Sequence, residues 1–410
     1  MQGKKDATRG GKMMAALCCL FAFLWLTPFS VSAQQAGDVV MGSWNRVAGT
    51  YNEQGQIVMN VCAEDYQTRS GVIAKGHVNS NALDALCDND EQKTIVIPSG
   101  STVELENVFH VGSNTKIIAD GATLVMTQGG KGIVNNRPRE VNYNSLENVW
   151  IQGGTWQGTS ETESGSIIRL NHGKNVTIEN ATVMANYESH GIELIAMKDV
   201  TVQNCQLKVY GKKNKNSVEE ALQIDVASPK TAPALVQFGK EYVEGQTCDN
   251  IKILNNTIEG SRGLCANFAG SEGKKYKNKY HGKITVIGNT MTGYSAEGCV
   301  IYNTENATVK NNVVRTYSTR KNKSYSVGLN ITLQGKANKK RMKKSKVIVT
   351  GNKVYGVRQG IQLVSLSSSK YKKAIFKNNT CYASKKANGI MLSKTAASKI
   401  KNVKNKSFKR

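Results

Sequence analysis

The C-terminal stretch of this chain contains no acid. From Asn306 to Arg410 there is not one Asp or Glu, while Lys and Arg recur throughout and close the chain as KNVKNKSFKR. Any acid–base chemistry carried by carboxylates must therefore lie upstream of Asn306. The formal charge is +25, and so uneven a distribution predicts attraction to a polyanion. A solvated, lysine-rich exterior is the plain alternative. Paired cysteine motifs are also missing. Cys18 and Cys19 lie near the start, and Cys62, Cys87, Cys205, Cys248, Cys265, Cys299 and Cys381 follow with no CxxC spacing. That pattern argues against a zinc site and against a full disulfide framework. Cys62 and Cys87 are near enough in sequence to pair, and the others fall mostly in strand patterns, where a buried small hydrophobe is expected.

Long apolar runs are absent after the first residues. Lys4, Lys5, Arg9 and Lys12 precede an apolar segment from Met13 to Phe29, and Val31-Ser-Ala33 supplies small residues for cleavage. Residues 1–33 read as a secretory signal peptide. Leu17 precedes Cys18 where a lipid-anchoring site would want a small residue. Nothing later is apolar enough to cross a membrane. The expectation is a secreted, extracellular or surface-associated protein. Its polyanion would then be an acidic polysaccharide, an anionic cell-wall polymer held by the basic C-terminal coils, or a membrane surface, with nucleic acid not expected.

What the chain does contain is a repeat. Short strand-like runs close on Gly or Asn: ENVWIQGGTW, KNVTIENATV, KDVTVQNCQL, DNIKILNNTI, GKITVIGNTM, ATVKNNVV, SKVIVTGNKV and KAIFKNNTC. The corner asparagines are Asn180, Asn204, Asn256, Asn289, Asn312, Asn352 and Asn379. Asn tolerates a tight left-handed corner, and its amide can stack on the Asn of the next turn. A second strand precedes each corner: GSIIRL, HGIELI, EALQID, GLCANF, GCVIYN, VGLNIT, QGIQLV and NGIMLS. Two or three strands per turn of about 24 residues, with loops of free length between them, describe an all-β solenoid, the right-handed parallel β-helix. A leucine-rich repeat needs a leucine frame that is missing here. Ahead of the coils, an amphipathic helix around Ala82 to Cys87 reads as a short N-terminal cap. The expected layout is a β-rich extension over 34–79, the β-helix over 80–400 and a basic tail over 401–410.

Aligning the strands on their corners yields columns of outward side chains. One reads Arg169, Glu193, Gln223, Cys265, Val300, Asn330, Gln362 and Met391. The next reads Asn171, Ile195, Asp225, Asn267, Tyr302, Thr332 and Val364. His190, Glu220, Arg262, Glu297 and Gln359 stand where the strands begin. Acid, His, Arg and Asn therefore concentrate on three adjacent coils of one exposed sheet. With coils about 4.8 Å apart, Glu193 and Asp225 lie on the order of 8 Å apart at Cα. Insertions at Lys212 to Asn216 and Pro229 to Thr247 flank them as candidate cleft walls.

The helix, the following strand and the Pro-Ser-Gly turn in SNALDALCDNDEQKTIVIPSGSTVELENVFHVGSNTKIIADGATL resemble the N-terminal cap and first coils of the pectin-lyase-like superfamily. The resemblance covers about residues 80 to 400 and implies a polysaccharide-active protein. A hydrolase would use Glu193, Asp225, Glu220 and His190 for acid–base work. Arg169, Gln223, Arg262 and Asn267 would hold substrate, with Tyr302 as a stacking platform. Ser189-His190-Gly191 resembles the Gly-His-Gly motif of polygalacturonases, but their Asn-Thr-Asp, paired Asp and Arg-Ile-Lys motifs are absent. A lyase would instead use Glu193, Glu220 and Asp225 to hold Ca2+, with Arg262 or Arg169 as base. A non-catalytic wall or glycan binder is the third reading. His281, in KYHGKITV, is expected in a surface turn or as a wall residue.

Overall fold

In the computed structural model, the described residues are 34–159, 162–186, 189–210, 218–270, 272–320 and 323–410. Residues 1–33, expected to be a signal peptide, and the Lys212 to Asn216 insertion lie outside them. Three sheets of 14, 11 and 10 strands run the length of the molecule, and each coil contributes one strand to each. The pairing is parallel throughout the coils, and the fold is the right-handed parallel β-helix.

Alternation explains each strand. In the first sheet Ile178, Val202, Ile253, Val286, Val309, Val349 and Phe376 lie in register on successive coils. All seven are fully buried. Burial of each branched or aromatic side chain contributes roughly 1.5–3 kcal/mol, and odd-numbered offsets face outward.

From Gln152 onward, the corner from the first sheet to the second takes two residues in each coil. The first adopts a left-handed conformation, as at Asn180, Asn204, Asn255, Asn311 and Asn378 (φ 55°, 55°, 54°, 54° and 56°). The second points inward. Asn256, Asn289, Asn312, Asn352, Asn379 and Asn405 form an amide ladder, buried from Asn256 to Asn379, in which each Oδ1 after the first accepts from the preceding Asn N–H and side-chain amide at 2.8–3.0 Å. Asn180 and Asn204, expected in this ladder, instead occupy the left-handed position. Cys205 follows Asn204 and takes the ladder site, donating its N–H to Asn256 Oδ1 at 2.8 Å.

The N-terminal helix spans Lys75–Cys87 and lays Val78, Ala82, Leu83 and Leu86 over the end of the core. It begins before the expected boundary at residue 80. Residues 34–79 also supply Ile57–Met59, which pairs parallel with Lys93–Val96 and continues the first sheet. The expected tail is likewise built in, since Ile400–Val403 and Lys406–Lys409 pair with the preceding coil. Cys62 and Cys87 are buried and free, and all seven described cysteines are unpaired thiols.

Candidate functional site

Among the described residues, the long insertions between coil strands flank the third sheet. Residues 136–145, 226–248, 267–280, 334–345 and 366–372 connect its strands to the first sheet, and residues 317–326 lead into it from the second. The third sheet is therefore the floor of a loop-walled face. Its register reproduces both outward columns: Arg169 opposite Glu193, Glu193 opposite Gln223, Gln223 opposite Cys265, and Ile195 opposite Asp225. Sequence reasoning placed these neighbours correctly, but it misjudged their exposure and their partners.

Along the beginnings of the strands runs a chain of charges. His190 Nδ1 lies 3.4 Å from Glu220 Oε2, Arg262 Nη1 donates to Glu220 Oε1 at 2.7 Å, and Arg262 Nε donates to Glu297 Oε2 at 3.0 Å. Asn330 extends it, donating to Glu297 Oε1 at 3.1 Å. Arg262 is almost wholly buried between two carboxylates. It is committed to the fold and not free to hold a substrate, contrary to the sequence expectation. The spacing of Arg262 and Glu297 on adjacent coils was visible in the sequence, but the closure of the pair depends on side-chain direction.

A second group sits one column inward. Arg169 Nε donates to Glu193 Oε2 at 2.6 Å, and Ser166 Oγ donates to the same oxygen at 2.8 Å. Ser166 was not anticipated; it lies three residues before Arg169, whose Nη2 also donates to it at 3.0 Å. Burial alone would raise the Glu193 carboxyl, but Arg169, His190 and the two hydrogen bonds outweigh it and hold the group below 4.5. Asp225 behaves oppositely. Burial first, then the charges of Glu193 and Glu220, push it well above 3.8. Gln223 Nε2 donates to Asp225 Oδ1 at 3.1 Å. Asp225 Oδ2 and Gln223 Oε1 are buried with no hydrogen-bond partner.

The expected open cleft is closed over this coil. Asp225 is 0 % exposed, and Glu193, Glu220 and Gln223 are buried too. Residues 226–248 fold down as a wall: Leu235 and Val243 pack on Ile195, the residue opposite Asp225. His172 Nε2 bonds Tyr242 O at 2.9 Å, and Ser228 Oγ donates to Glu272 at 2.5 Å. Side chains that still reach solvent are Arg169 and His190, 25 % and 22 % exposed. Tyr302 is no open platform, because its ring packs on Phe268 at 4.8 Å and is 9 % exposed. Asn267, half-buried, spends its Oδ1 on the Phe268 N–H at 2.9 Å.

His281 is fully buried, not in a surface turn. Its Nδ1 accepts from Cys248 N at 3.1 Å, and its Nε2 faces Asn267 O at 2.8 Å. Burial pushes its pKa down to about 4, so it pins the wall to the sheet as a neutral ring. The carboxylates of the acidic coil do not fit a Ca2+ cage. Arg169 takes one oxygen of Glu193, Arg262 and His190 take the two oxygens of Glu220, and the converging ligand group found among the described residues is Asp84, Asp88 and His110. Arg137 and Arg139 already neutralise that group.

No family model and no curated protein matches the chain. Solved structures do. The surface protein and adhesin PfbA of Streptococcus pneumoniae is similar at 14% identity over 81% of this chain and 93% of its own, with a TM-score of 0.55. The A-module of the Azotobacter vinelandii mannuronan C-5 epimerase AlgE6 matches at 13% over 80% and 91%, TM-score 0.45. A family 28 exopolygalacturonase of Yersinia enterocolitica matches at 11% over 80% and 76%, TM-score 0.38. At such identities the likeness to the first of these shows the fold alone, a right-handed parallel β-helix.

Proposed function

We propose that this chain is an exported polysaccharide-active enzyme, a glycoside hydrolase acting on an acidic polymer along the loop-walled sheet. The observation that carries this reading is the opposed setting of two carboxyls on adjacent coils: burial and the charges of Glu193 and Glu220 push Asp225 well above 3.8, whereas Arg169 and His190 outweigh burial at Glu193 and hold it below 4.5. Cleavage of a glycosidic bond needs one carboxyl to give a proton and one to act as base or nucleophile. Asp225, whose Oδ2 has no partner in the fold, would protonate the leaving oxygen. Glu193 would activate water or attack the sugar. Arg169 and His190, at the solvent side of the group, would meet the carboxylate of an acidic sugar. Because Asp225 is covered, the reaction requires residues 226–248 to lift from Ile195. Export rests on residues 1–33, whose composition suits a signal peptide. No helix of the described residues is long and apolar enough to cross a membrane.

A second reading has its own observation. Glu193 and Glu220 are held in ion pairs and Asp225 is sealed, which suits a non-catalytic glycan binder whose acidic coil is structural. One experiment separates the two. The chain from Gln34 is given acidic and neutral polysaccharides, and reducing ends and unsaturated-product absorbance are followed with and without chelator. New reducing ends, abolished by Asp225→Asn and by Glu193→Gln in variants that remain folded, support hydrolysis. Retention on an acidic polymer with no turnover replaces it with the binder. Chelator-sensitive near-UV absorbance would show elimination and overturn both.

A further inference from the structure

Beyond the acidic coil, the carboxylate-free part of the chain encloses a cavity of about 310 Å3 between the insertions 334–345 and 366–372. Lys336, Lys339, Lys343, Lys370 and Lys372 line it. Among the described residues none of the five is in an ion pair. The sequence supplies no carboxylate after Glu305 to neutralise them locally. Five exposed like charges around one concavity repel one another, and an anion lodged there reduces that cost.

The frame holding them is fixed in place. Gly335 O accepts from Tyr280 Oη at 2.5 Å, Ser367 Oγ at 2.8 Å and Ser369 Oγ at 3.0 Å. Ser369 Oγ also accepts the Ala337 N–H at 2.7 Å, tying the two insertions together. On the second insertion, the Lys372 N–H donates to Ser345 Oγ at 3.0 Å, and Ser345 Oγ donates to Met342 O at 2.8 Å. The backbone of the cavity is therefore formed before any ligand arrives, while the lysine side chains remain exposed. Ala337 and Met342, both buried, supply an apolar floor.

We propose that this cavity seats a tetrahedral oxyanion ester, a sulfate or phosphate group carried on a sugar. The cations are lysines throughout. Arginine's planar fork matches a carboxylate in two bonds, whereas ammonium groups act as point charges that can surround a compact tetrahedral anion. The apolar floor and the lysine stems give the C–H face of a sugar ring a surface to lie on. The volume is at the small end for a ligand site and suits one substituted ring. The site is three to four coils from the acidic strand Glu220–Asp225, about 14–19 Å along the axis. Its occupancy does not depend on turnover there.

The test is titration calorimetry on the chain from Gln34 at low salt, with glucose 6-sulfate, glucose 6-phosphate, glucuronate and inorganic phosphate. Both esters should bind roughly tenfold tighter than glucuronate and than inorganic phosphate. Lys339→Ala/Lys370→Ala should lower ester affinity by about tenfold or more. Lys406→Ala/Lys409→Ala removes the same charge from exposed positions on the last coil, and should lower it by less than about threefold. Equal losses in the two variants would reduce the effect to diffuse attraction and overturn the site. Glucuronate binding as tightly as the esters would overturn the tetrahedral preference, and equal binding of inorganic phosphate would overturn the sugar. No binding of any probe overturns the proposal outright. Unchanged thermal unfolding of both variants keeps these outcomes separate from misfolding, and a failed hydrolase assay leaves them untouched.

Discussion

Replacing Arg262 by Met should destabilise the protein. Arg262 bridges Glu220 and Glu297 at 2.7 and 3.0 Å, and Glu297 is fully buried. Removing the cation strands two carboxylates out of water, a change that costs about 3–5 kcal/mol in buried pairs. Glu297 keeps its hydrogen bond from Asn330 and Glu220 keeps His190, which places the loss near the lower end, ~3 kcal/mol. A chain of this size gains on the order of 0.8 kcal/mol per degree at its midpoint, so Tm should fall by about 4 °C. The deficit should change little with added salt, because buried pairs are screened weakly. The companion variant Glu220→Gln/Arg262→Met/Glu297→Gln removes the stranded charges and should recover most of the loss. Calorimetry with far-UV circular dichroism at neutral pH reads both variants. A shift below about 1 °C in the single variant, or a triple variant no better than the single, would refute the view that Arg262 is held by the fold for the fold.

Asp225→Asn should stabilise the protein at neutral pH. The raised carboxyl binds a proton more tightly folded than unfolded, so the wild type loses stability as pH rises above 3.8. Glu193→Gln should do the reverse: its lowered carboxyl contributes stability above 4.5 that disappears as pH falls through the folded value. Urea midpoints of the two variants against pH should therefore move in opposite directions, and parallel curves would contradict the two assignments. His281, with its pKa near 4 in the fold against 6.5 unfolded, should cost the protein up to ~3 kcal/mol as pH drops between those values. Replacing His281 with Gln should flatten that part of the stability profile. Asn312→Ala cuts the bonds to Asn352, Asn289 and Val286 O and should cost roughly 3 kcal/mol, read as faster exchange of the Asn289 amide.

The register of the third sheet was legible because strand alternation and the corner residues together count positions. Glu193 opposite Gln223 and Ile195 opposite Asp225 follow from that count alone. The corner itself carried a one-residue ambiguity. In ENA and QNC the asparagine is the first corner residue, whereas in NNT and GNT the ladder asparagine is the second. The helix start was not legible either, since Ala74 caps Lys75–Cys87 without a side-chain hydrogen bond. Closure over Asp225 and Tyr302 could not be read at all. The cover comes from Pro233–Phe238 and Lys240–Val243, short turns with no period to locate them, and from Phe268. Ion pairing escaped for a related reason: the column put Arg262 beside Glu220, but only side-chain direction decides between a salt bridge and two solvated charges.

The two-residue corner has a consequence for how such a chain can change. From Asn180 onward it is the same length in each coil, while the connections on either side of the third sheet run from one residue to more than twenty. One added residue at the corner would rotate the following strand and turn its core side chains outward. The same addition in 226–248 or 334–345 shifts nothing in the three sheets. The amide ladder thus works as a keel. It lets one flank be rewritten by insertion and deletion while the hull keeps its lines, so new specificity can arise without the cost of refolding the scaffold.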